Sequence, residues 1–430
     1  MHKISLLGIP VLLFSQLAWS QQSDSFDDFD KMLDQRFEDV DSVINARYEA
    51  VELAVDRAFQ GLTKKIEVHW GEDTRLPSKT EWVTYSRDMG SRVALDFSKS
   101  EMVIETVLGP ATDMKKEFAK IEEFAKKLMS ASPQQLNEED SLAKEIKLEL
   151  QESNVEIDVE TVPVVSKTVP TVSETVDEVE TVLAVVLPVA AIEESLQELV
   201  EQSEVILEQP LDTVTSIGGK AGEPTGSVKV LEENGIKKLQ ISFPFVSNAQ
   251  KKIMEKHMDV IRKYASEYDI PVSVVLAIIE TESSFNPRAV SPVPAFGLMQ
   301  LVPRTAGIDA YNKVYGEKKV VAPEYLFNEA QNIELGAAYL NVVRDSYFRR
   351  VKNPYSRFYC TVAAYNTGIG NVAKTFTGGT SLTAAARKIN TMNEQEVYDH
   401  LLENLPAEET RNYLRKIVKR VENYKHLDMG

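Results

Sequence analysis

The sequence predicts an α+β chain in three parts: a small N-terminal domain built of a helix and an antiparallel sheet, an acidic low-complexity insert, and a mainly α C-terminal domain. Three observations carry this reading. Between residues 66 and 108 the apolar period changes from helical to strand-like. Between residues 131 and 225 the chain is acidic, interrupted by proline and poor in aromatics. From Asn248 onward, apolar residues recur at three- and four-residue steps.

The opening residues have the layout of an export signal. Met1, His2 and Lys3 form a short basic start, Ile4 to Leu17 is mostly apolar, and Ala18-Trp19-Ser20 offers small residues where a signal peptidase reads. Residues 1–20 are therefore expected to be a cleaved signal peptide, the apolar run being shorter than the roughly 20 residues that span a bilayer. The expected location is the periplasm, without a lipid anchor and with peripheral outer-membrane association left open.

Residues 21–130 are read as the N-terminal domain. Phe26, Phe29, Met32, Leu33 and Phe37 recur at helical steps, so Ser25 to Lys64 is expected to be helix. Ile66 to Trp70, Glu81 to Ser86, Ser91 to Phe97 and Met102 to Leu108 are short runs rich in Val, Ile and aromatics, and read as strands. Ala111 to Ser130 returns to helical spacing. Residues 131–225 are read as an acidic linker, with Lys144 to Gln151 helical at most. Within it, Glu160-Thr161-Val162, Glu174-Thr175-Val176 and Glu180-Thr181-Val182 repeat one tripeptide between Pro163, Pro170 and Pro188. Its valine content leaves a dimerising or membrane-surface role as the alternative. Two β-rich runs within 226–246 flank Asn234-Gly235, the dipeptide of a two-residue type I′ turn. This hairpin is expected to return to the earlier sheet, making the acidic segment an insertion.

The net charge of −18 argues against nucleic acid as a partner. Ala131 to Lys220 holds 20 acidic and 4 basic residues, whereas Lys251 to Gly430 holds 24 basic and 20 acidic. The acidity thus belongs to the middle of the chain, and the mildly cationic end suits an anionic polymer. A single cysteine, Cys360, excludes an intramolecular disulfide, and its apolar helical context reads as core. The five histidines show no ligand spacing, so the reading calls for no metal and no cofactor.

In the C-terminal part, residues 248–430, Val272 to Ile279 is apolar almost all round and reads as a buried helix. It must end near Phe285, because Asn286 precedes Pro287 and is pushed out of the helical region. Glu280 and Glu282 lie near that end. Two residues apart on a helix is about 200°, so only one of them faces a given cleft. A glutamate in the last turn of an apolar helix is desolvated, which raises its pKa. A carboxylic acid kept protonated near neutral pH is what cleavage of a glycosidic bond requires.

Four ordered blocks surround this glutamate. They are Glu282-Ser283-Ser284-Phe285-Asn286-Pro287, Gly297-Leu298-Met299-Gln300, Ala364-Tyr365-Asn366-Thr367-Gly368-Ile369-Gly370, and Leu405 to Tyr413. Each resembles a signature block of the lytic transglycosylases with a soluble-lytic-transglycosylase, goose-lysozyme-like catalytic domain. The resemblance implies a lysozyme-like fold, peptidoglycan glycan strands as substrate and Glu282 as the single catalytic acid/base. It implies substrate-facing or glutamate-orienting roles for Ser283, Ser291, Met299, Gln300, Tyr365, Asn366, Glu409 and Tyr413. Val302 departs from a methionine found near the subsites in some members. Gly368-Ile369-Gly370 is not a nucleotide loop, since no strand precedes it; the resemblance implies close backbone packing there.

The stretches Glu67-Val68-His69-Trp70-Gly71 and Arg75-Leu76-Pro77-Ser78-Lys79-Thr80, with the helix before and the strands after them, resemble the N-terminal domain of the membrane-bound lytic murein transglycosylase C family. That family is lipidated, whereas this sequence has no cysteine near residue 20. The acidic insert also lies outside the family pattern. Protein partners in the envelope would be reached through the N-terminal domain or the insert. The expected reaction is cleavage between N-acetylmuramic acid and N-acetylglucosamine with formation of a 1,6-anhydro end. A goose-type lysozyme and a non-catalytic wall-binding scaffold are the alternatives.

Overall fold

The computed structural model describes residues 23–109, 113–153, 181–201, 206, 210–218 and 226–428. The expected signal peptide and the first two Glu-Thr-Val repeats lie outside the described residues. The chain divides into two compact units, Met1–Ala46 and Arg47–Gly430, and the sheet and the C-terminal helices belong to the second.

A long helix, Ser23–Trp70, precedes the sheet. Ile66 to Trp70, expected as a strand, is its last turn. The reason lies in the buried residues. Val51, Val55, Ala58, Leu62, Ile66 and Trp70 are fully buried and follow at three- and four-residue steps, while Val68 is 79 % exposed. The β-branched content of the run is overridden by an apolar stripe that continues without a break.

Among the described residues six antiparallel strands follow: β1 (Glu81–Tyr85), β2 (Ser91–Asp96), β3 (Glu101–Val107), β4 (Thr215–Ile217), β5 (Gly226–Glu233) and β6 (Ile236–Pro244). Their spatial order is β1-β2-β3-β6-β5-β4. The β5–β6 hairpin turns at Asn234 (φ 51°) and Gly235 (φ 77°), the two positive values that a type I′ turn needs. Through β6 it pairs with β3, Ile104 facing Ile241 and Met102 facing Phe243. Everything between Val107 and Thr215 is therefore inserted between strands of one sheet.

Much of that insertion is folded. Helices span Met114–Met129, Pro133–Glu139, Ser141–Glu152, Val182–Val186 and Val189–Glu201. The reading of 131–225 as mostly linker fails for Pro133–Glu139, Val182–Val186 and Val189–Glu201, while Met114–Met129 and Ser141–Glu152 fall where helix was expected. Ile192, Leu196 and Leu199 are fully buried at helical spacing, and the acidic residues of Val189–Glu201 occupy the other side of the same helix. Pro188 stands just before that helix, where its missing N–H leaves no bond unmade, and its carbonyl accepts from the Ile192 N–H at 3.0 Å. The buried side of Val189–Glu201 is itself built without aromatics.

One sheet face carries a buried charge cluster. Arg92 lies 4.0 Å over the Trp70 ring. Its Nε donates to Glu105 at 2.7 Å and its Nη2 to Asp73 at 3.0 Å. Lys238 Nζ reaches Asp73 at 2.6 Å and Glu105 at 3.2 Å. Burial alone would raise the Glu105 carboxyl, but Arg92, Lys238 and Arg75 hold it below its ordinary 4.5. The stabilisation it brings is complete above that ordinary value and is lost as pH falls through the lower folded one.

The sheet and the helical part are joined by a second buried ion pair. Arg288 Nε and Nη2 donate to one oxygen of Asp140 at 3.1 and 2.9 Å. The same oxygen accepts from Trp82 Nε1 of β1 at 2.8 Å, and the other caps the Ser141–Glu152 helix through the Ala143 N–H. The Arg288 guanidinium also lies 4.1 Å over Phe327. One carboxylate thus ties a strand, a helix start and a loop of the C-terminal part.

Both clusters can be tested by removing one carboxylate. Glu105→Gln should cost roughly 3 kcal/mol at neutral pH by leaving buried cations short of a counter-charge. Denaturant unfolding across pH should also show a shallower acid limb, and parallel curves for the two proteins would refute the assignment. Asp140→Ala should destabilise the chain by roughly 3–5 kcal/mol, the usual result of stripping one partner from a buried pair, read as a shifted denaturation midpoint. A change below about 1 kcal/mol would mean that the pair carries no such weight.

Candidate active site

The helix Val272–Ser283 forms the floor of the site. Every residue from Ser273 to Ile279 is buried, because the sequence offers no polar face. Its start is pinned by Asp428, which accepts from the Ser273 N–H at 2.8 Å and from its hydroxyl at 2.7 Å. Its end is abrupt. Ser284 caps it in the left-handed region at φ 51°, and Phe285 follows at φ 67°. Two successive non-glycine residues at positive φ are unfavourable alone and need surrounding structure to hold them. Phe285 is buried to 1 % exposure, and Asn286, wholly buried, accepts the Arg288 N–H at 3.0 Å.

The two glutamates separate as their spacing requires. Glu280 faces the Glu408–Tyr424 helix, taking a 3.1 Å ion pair from Arg420 Nε and a 2.9 Å hydrogen bond from the Tyr424 hydroxyl. Glu282 turns the other way and is 5 % exposed. Burial pushes its carboxyl above the ordinary 4.5; Lys79 and Tyr413 pull it down, and Glu409 adds to the rise. Burial wins, so the carboxyl is held more readily protonated than a surface glutamate.

Of the other expected residues, Tyr413, Glu409 and Tyr365 lie near enough to Glu282 to act on or feel its charge. Tyr413 is 5 % exposed and neighbours the Glu282 carboxyl, and its buried hydroxyl makes no hydrogen bond among the described residues. Burial and the Glu282 charge keep it a phenol. Glu409, one turn earlier on the same helix, is exposed and acts on Glu282 only through its charge. Tyr365 donates its hydroxyl to the Met299 carbonyl at 2.8 Å, and its ring lies 5.5 Å from that of Tyr339. Asn366, beside it, is half-buried. Gln300 donates from Nε2 to the carbonyls of Ala289 and Gly297 at 3.0 and 3.2 Å, leaving a buried Oε1 without a partner among the described residues. Ser291 is 6 % exposed and donates its hydroxyl to the Val293 carbonyl.

Ser283 and Met299 are not placed to face a sugar. Ser283 is 0 % exposed and directs its hydroxyl at the carbonyls of Ile279 and Leu298, at 3.0 and 2.8 Å, tying the helix end to the 296–301 loop. Met299 is 0 % exposed because its side chain points into the helix Glu329–Asn341, against Gly336. The expectation at Gly368 also changes: nothing lies within 4 Å of where a Cβ would stand, and the glycine is needed for its φ of 84° and ψ of 152° at the end of Pro354–Thr367.

Sequence reasoning missed Asn332 and gave no role to Lys79. Asn332, wholly buried, donates to the Phe296 and Leu326 carbonyls at 2.9 and 2.8 Å and accepts the Met299 N–H at 2.8 Å. It fixes the loop that carries Gln300. Gly297 makes room for it, since a Cβ there would stand 2.3 Å from the Leu326 carbonyl oxygen and 2.4 Å from Asn332 Nδ2. An asparagine on a helix gives no sequence cue to this work. Lys79, on the loop before β1, places Nζ 3.5 Å from a Glu282 oxygen across 203 positions of chain. A cavity of about 700 Å³ lies elsewhere, lined by Trp82, His257, Arg288 and Glu324 among others, and does not include Glu282.

Residues 259–387 match the Transglycosylase SLT domain, and residues 48–155 match the N-terminal domain of Membrane-bound lytic murein transglycosylase C. Among curated proteins, the chain is similar to the Membrane-bound lytic murein transglycosylase C of Histophilus somni, 39% identical over 192 residues, 45% of this chain and 52% of that protein. The protein of the same description from Pectobacterium atrosepticum is 38% identical over 185 residues, 43% of this chain and 51% of its own. The chain spans about half the length of these curated relatives. Among solved structures, the 70 kDa soluble lytic transglycosylase from Escherichia coli aligns at 26% identity and a TM-score of 0.31, covering 42% of this chain and 26% of that one.

The support beneath the site is open to a direct test. Asn332→Ala should cost about 3 kcal/mol through the buried backbone groups it abandons. Unfolding curves that superimpose on the parent's would show that the 296–301 loop holds itself.

Proposed function

We propose that this chain is a peptidoglycan lytic transglycosylase of the bacterial envelope in which Glu282 serves first as acid and then as base. The observation that carries the reading is a carboxyl group 5 % exposed at the end of an apolar helix, inside the range that matches the transglycosylase domain. The relatives' shared description, membrane-bound and murein-directed, supports the substrate and the compartment.

The chemistry follows from one titrating group. Protonated Glu282 gives its proton to the oxygen between N-acetylmuramic acid and N-acetylglucosamine, and the bond from muramoyl C1 to that oxygen breaks. The carboxylate left behind takes the proton from the muramoyl C6 hydroxyl while that oxygen bonds to C1. The product is a 1,6-anhydro ring, Glu282 is reprotonated and no water is consumed. A second carboxylate is not required, because the nucleophile belongs to the substrate. In this reading Tyr413, Gln300 and Asn366 line the approach to Glu282.

The test is mass spectrometry of murein digested by the protein and by Glu282→Gln. Wild type should release anhydromuropeptides, and the variant should be slower by at least about 100-fold, the usual range for losing a general acid. Activity should fall as pH rises through the elevated pKa of Glu282, because the acid must begin protonated. Products with reducing ends, one water heavier, would make the chain a lysozyme; intact sacculi with folded protein bound would make it a scaffold.

A further inference from the structure

The sheet domain and the helical domain meet where Glu282 lies. The Ser78 carbonyl accepts the Val290 N–H at 3.3 Å, and the Lys79 carbonyl accepts Asn286 Nδ2 at 3.3 Å. Both contacts join the loop before β1 to the turn that follows Glu282. That loop is held from behind as well: the Ser78 N–H donates to the Glu81 carbonyl at 2.8 Å, and β1 is anchored through Trp82 to Asp140 and so to Arg288. The backbone of Lys79 is thus fixed relative to Glu282 from two sides. Its side chain, 40 % exposed, ends 3.5 Å from a carboxyl oxygen whose own side chain is 6 % exposed.

We propose that the sheet domain completes the active site by supplying Lys79, a positioning residue whose ammonium holds the Glu282 carboxylate formed on proton donation. The inference deepens the transglycosylase reading and rests on it for its kinetic consequences. Its physical basis is the neighbourhood of Glu282. The groups facing that carboxyl are Lys79 from the loop before β1, Tyr413 and Glu409 from the Glu408–Tyr424 helix, and Tyr365 from the Pro354–Thr367 helix. Lys79 is the one cation among these groups. Glu409 and burial disfavour the carboxylate, and the neighbouring Tyr413 phenol, which favours it, carries no charge. An acid that must give up its proton and then act as a base needs its charged form to be reachable. The cation makes it so, and the domain that brings the cation is the one outside the transglycosylase match.

The experiment compares wild type, Lys79→Met and Lys79→Arg, each as the full chain. The first readout is the titration of Glu282 itself, by carbon NMR of protein labelled in glutamate carboxyls, with the resonance assigned by its absence in Glu282→Gln. The second is the pH profile of anhydromuropeptide release. Removing the cation should raise the Glu282 titration midpoint, move the basic limb of activity to higher pH and lower kcat by about 3- to 10-fold at its optimum. Lys79→Arg keeps the charge while changing the shape, so it should return both the midpoint and the limb toward wild type. Identical Glu282 titrations in wild type and Lys79→Met would overturn the proposal. So would a raised KM with kcat and the limb unchanged, which would put the ammonium on a substrate anion. Lys79 is too exposed for the methionine to unfold the chain, and a thermal melt checks this. If wild type releases no anhydro product, the functional reading fails, while the NMR titration still decides whether Lys79 governs Glu282.

Discussion

Keeping a carboxyl group dry is the constraint on which this structure turns. A carboxylate withdrawn from water loses hydration that only partners can replace. At the end of the Val272–Ser283 helix burial outweighs the partners the fold supplies, so the proton is held more readily than on a surface glutamate. The surroundings are arranged to permit this. The helix is apolar almost all round as far as Ile279, Phe285 closes the turn beyond it, and Glu280, two residues earlier than Glu282, takes the ion pair that a solvated glutamate would seek. The two carboxyl groups are chemically alike and differ only in which way the helix points them.

A dry carboxyl demands rigid neighbours, since any loosening admits water. Rigidity here comes from small polar groups buried and satisfied. Ser283 bonds two carbonyls, Asn332 makes three hydrogen bonds, and Asn286 holds the turn on one side and the Lys79 carbonyl on the other. None of these side chains needs to meet a substrate. They hold Gln300 and Tyr365 in place, and a buried polar group that is fully paired specifies one arrangement because every alternative leaves it unpaired. The residues nearest in sequence to Glu282 therefore support its position, and those that share its surroundings, Tyr413 and Lys79, arrive from far along the chain.

This division explains what the amino-acid sequence disclosed. The apolar run to Ile279, the Asn286-Pro287 stop and the two-residue offset of Glu280 and Glu282 are local, and they placed the buried carboxyl correctly at a helix end. The Asn234-Gly235 turn was equally local, and its hairpin lies in the sheet. Contacts between distant segments left no comparable mark. Nothing at Lys79 announces a partner 203 positions away, and nothing at Asn332 distinguishes it from a surface asparagine. Where local signals competed, the longer-range one prevailed: the β-rich run ending in Trp70 remains helix because the apolar stripe from Val51 carries through it. The acidic segment misled for a related reason. Charge and proline describe the exposed side of Val189–Glu201, while Ile192, Leu196 and Leu199 settle its fate.

The insertion and the site are linked through one carboxylate. Asp140 stands at the start of the Ser141–Glu152 helix, caps it, accepts from Trp82 in β1 and pairs with Arg288, just beyond the turn that follows Glu282. Three segments must be in register for that group to be satisfied, because a buried charge missing any partner is costly. The loop carrying Lys79 precedes β1 directly, so the geometry at Asp140 limits where the lysine can stand. A fold that recruits a cation from a separate domain to an acid gains a dependence that an isolated catalytic domain lacks: the acid's chemistry is complete only when the sheet is docked. On the proposed reading the sheet domain contributes to the reaction itself, through a cation 3.5 Å from the Glu282 carboxyl.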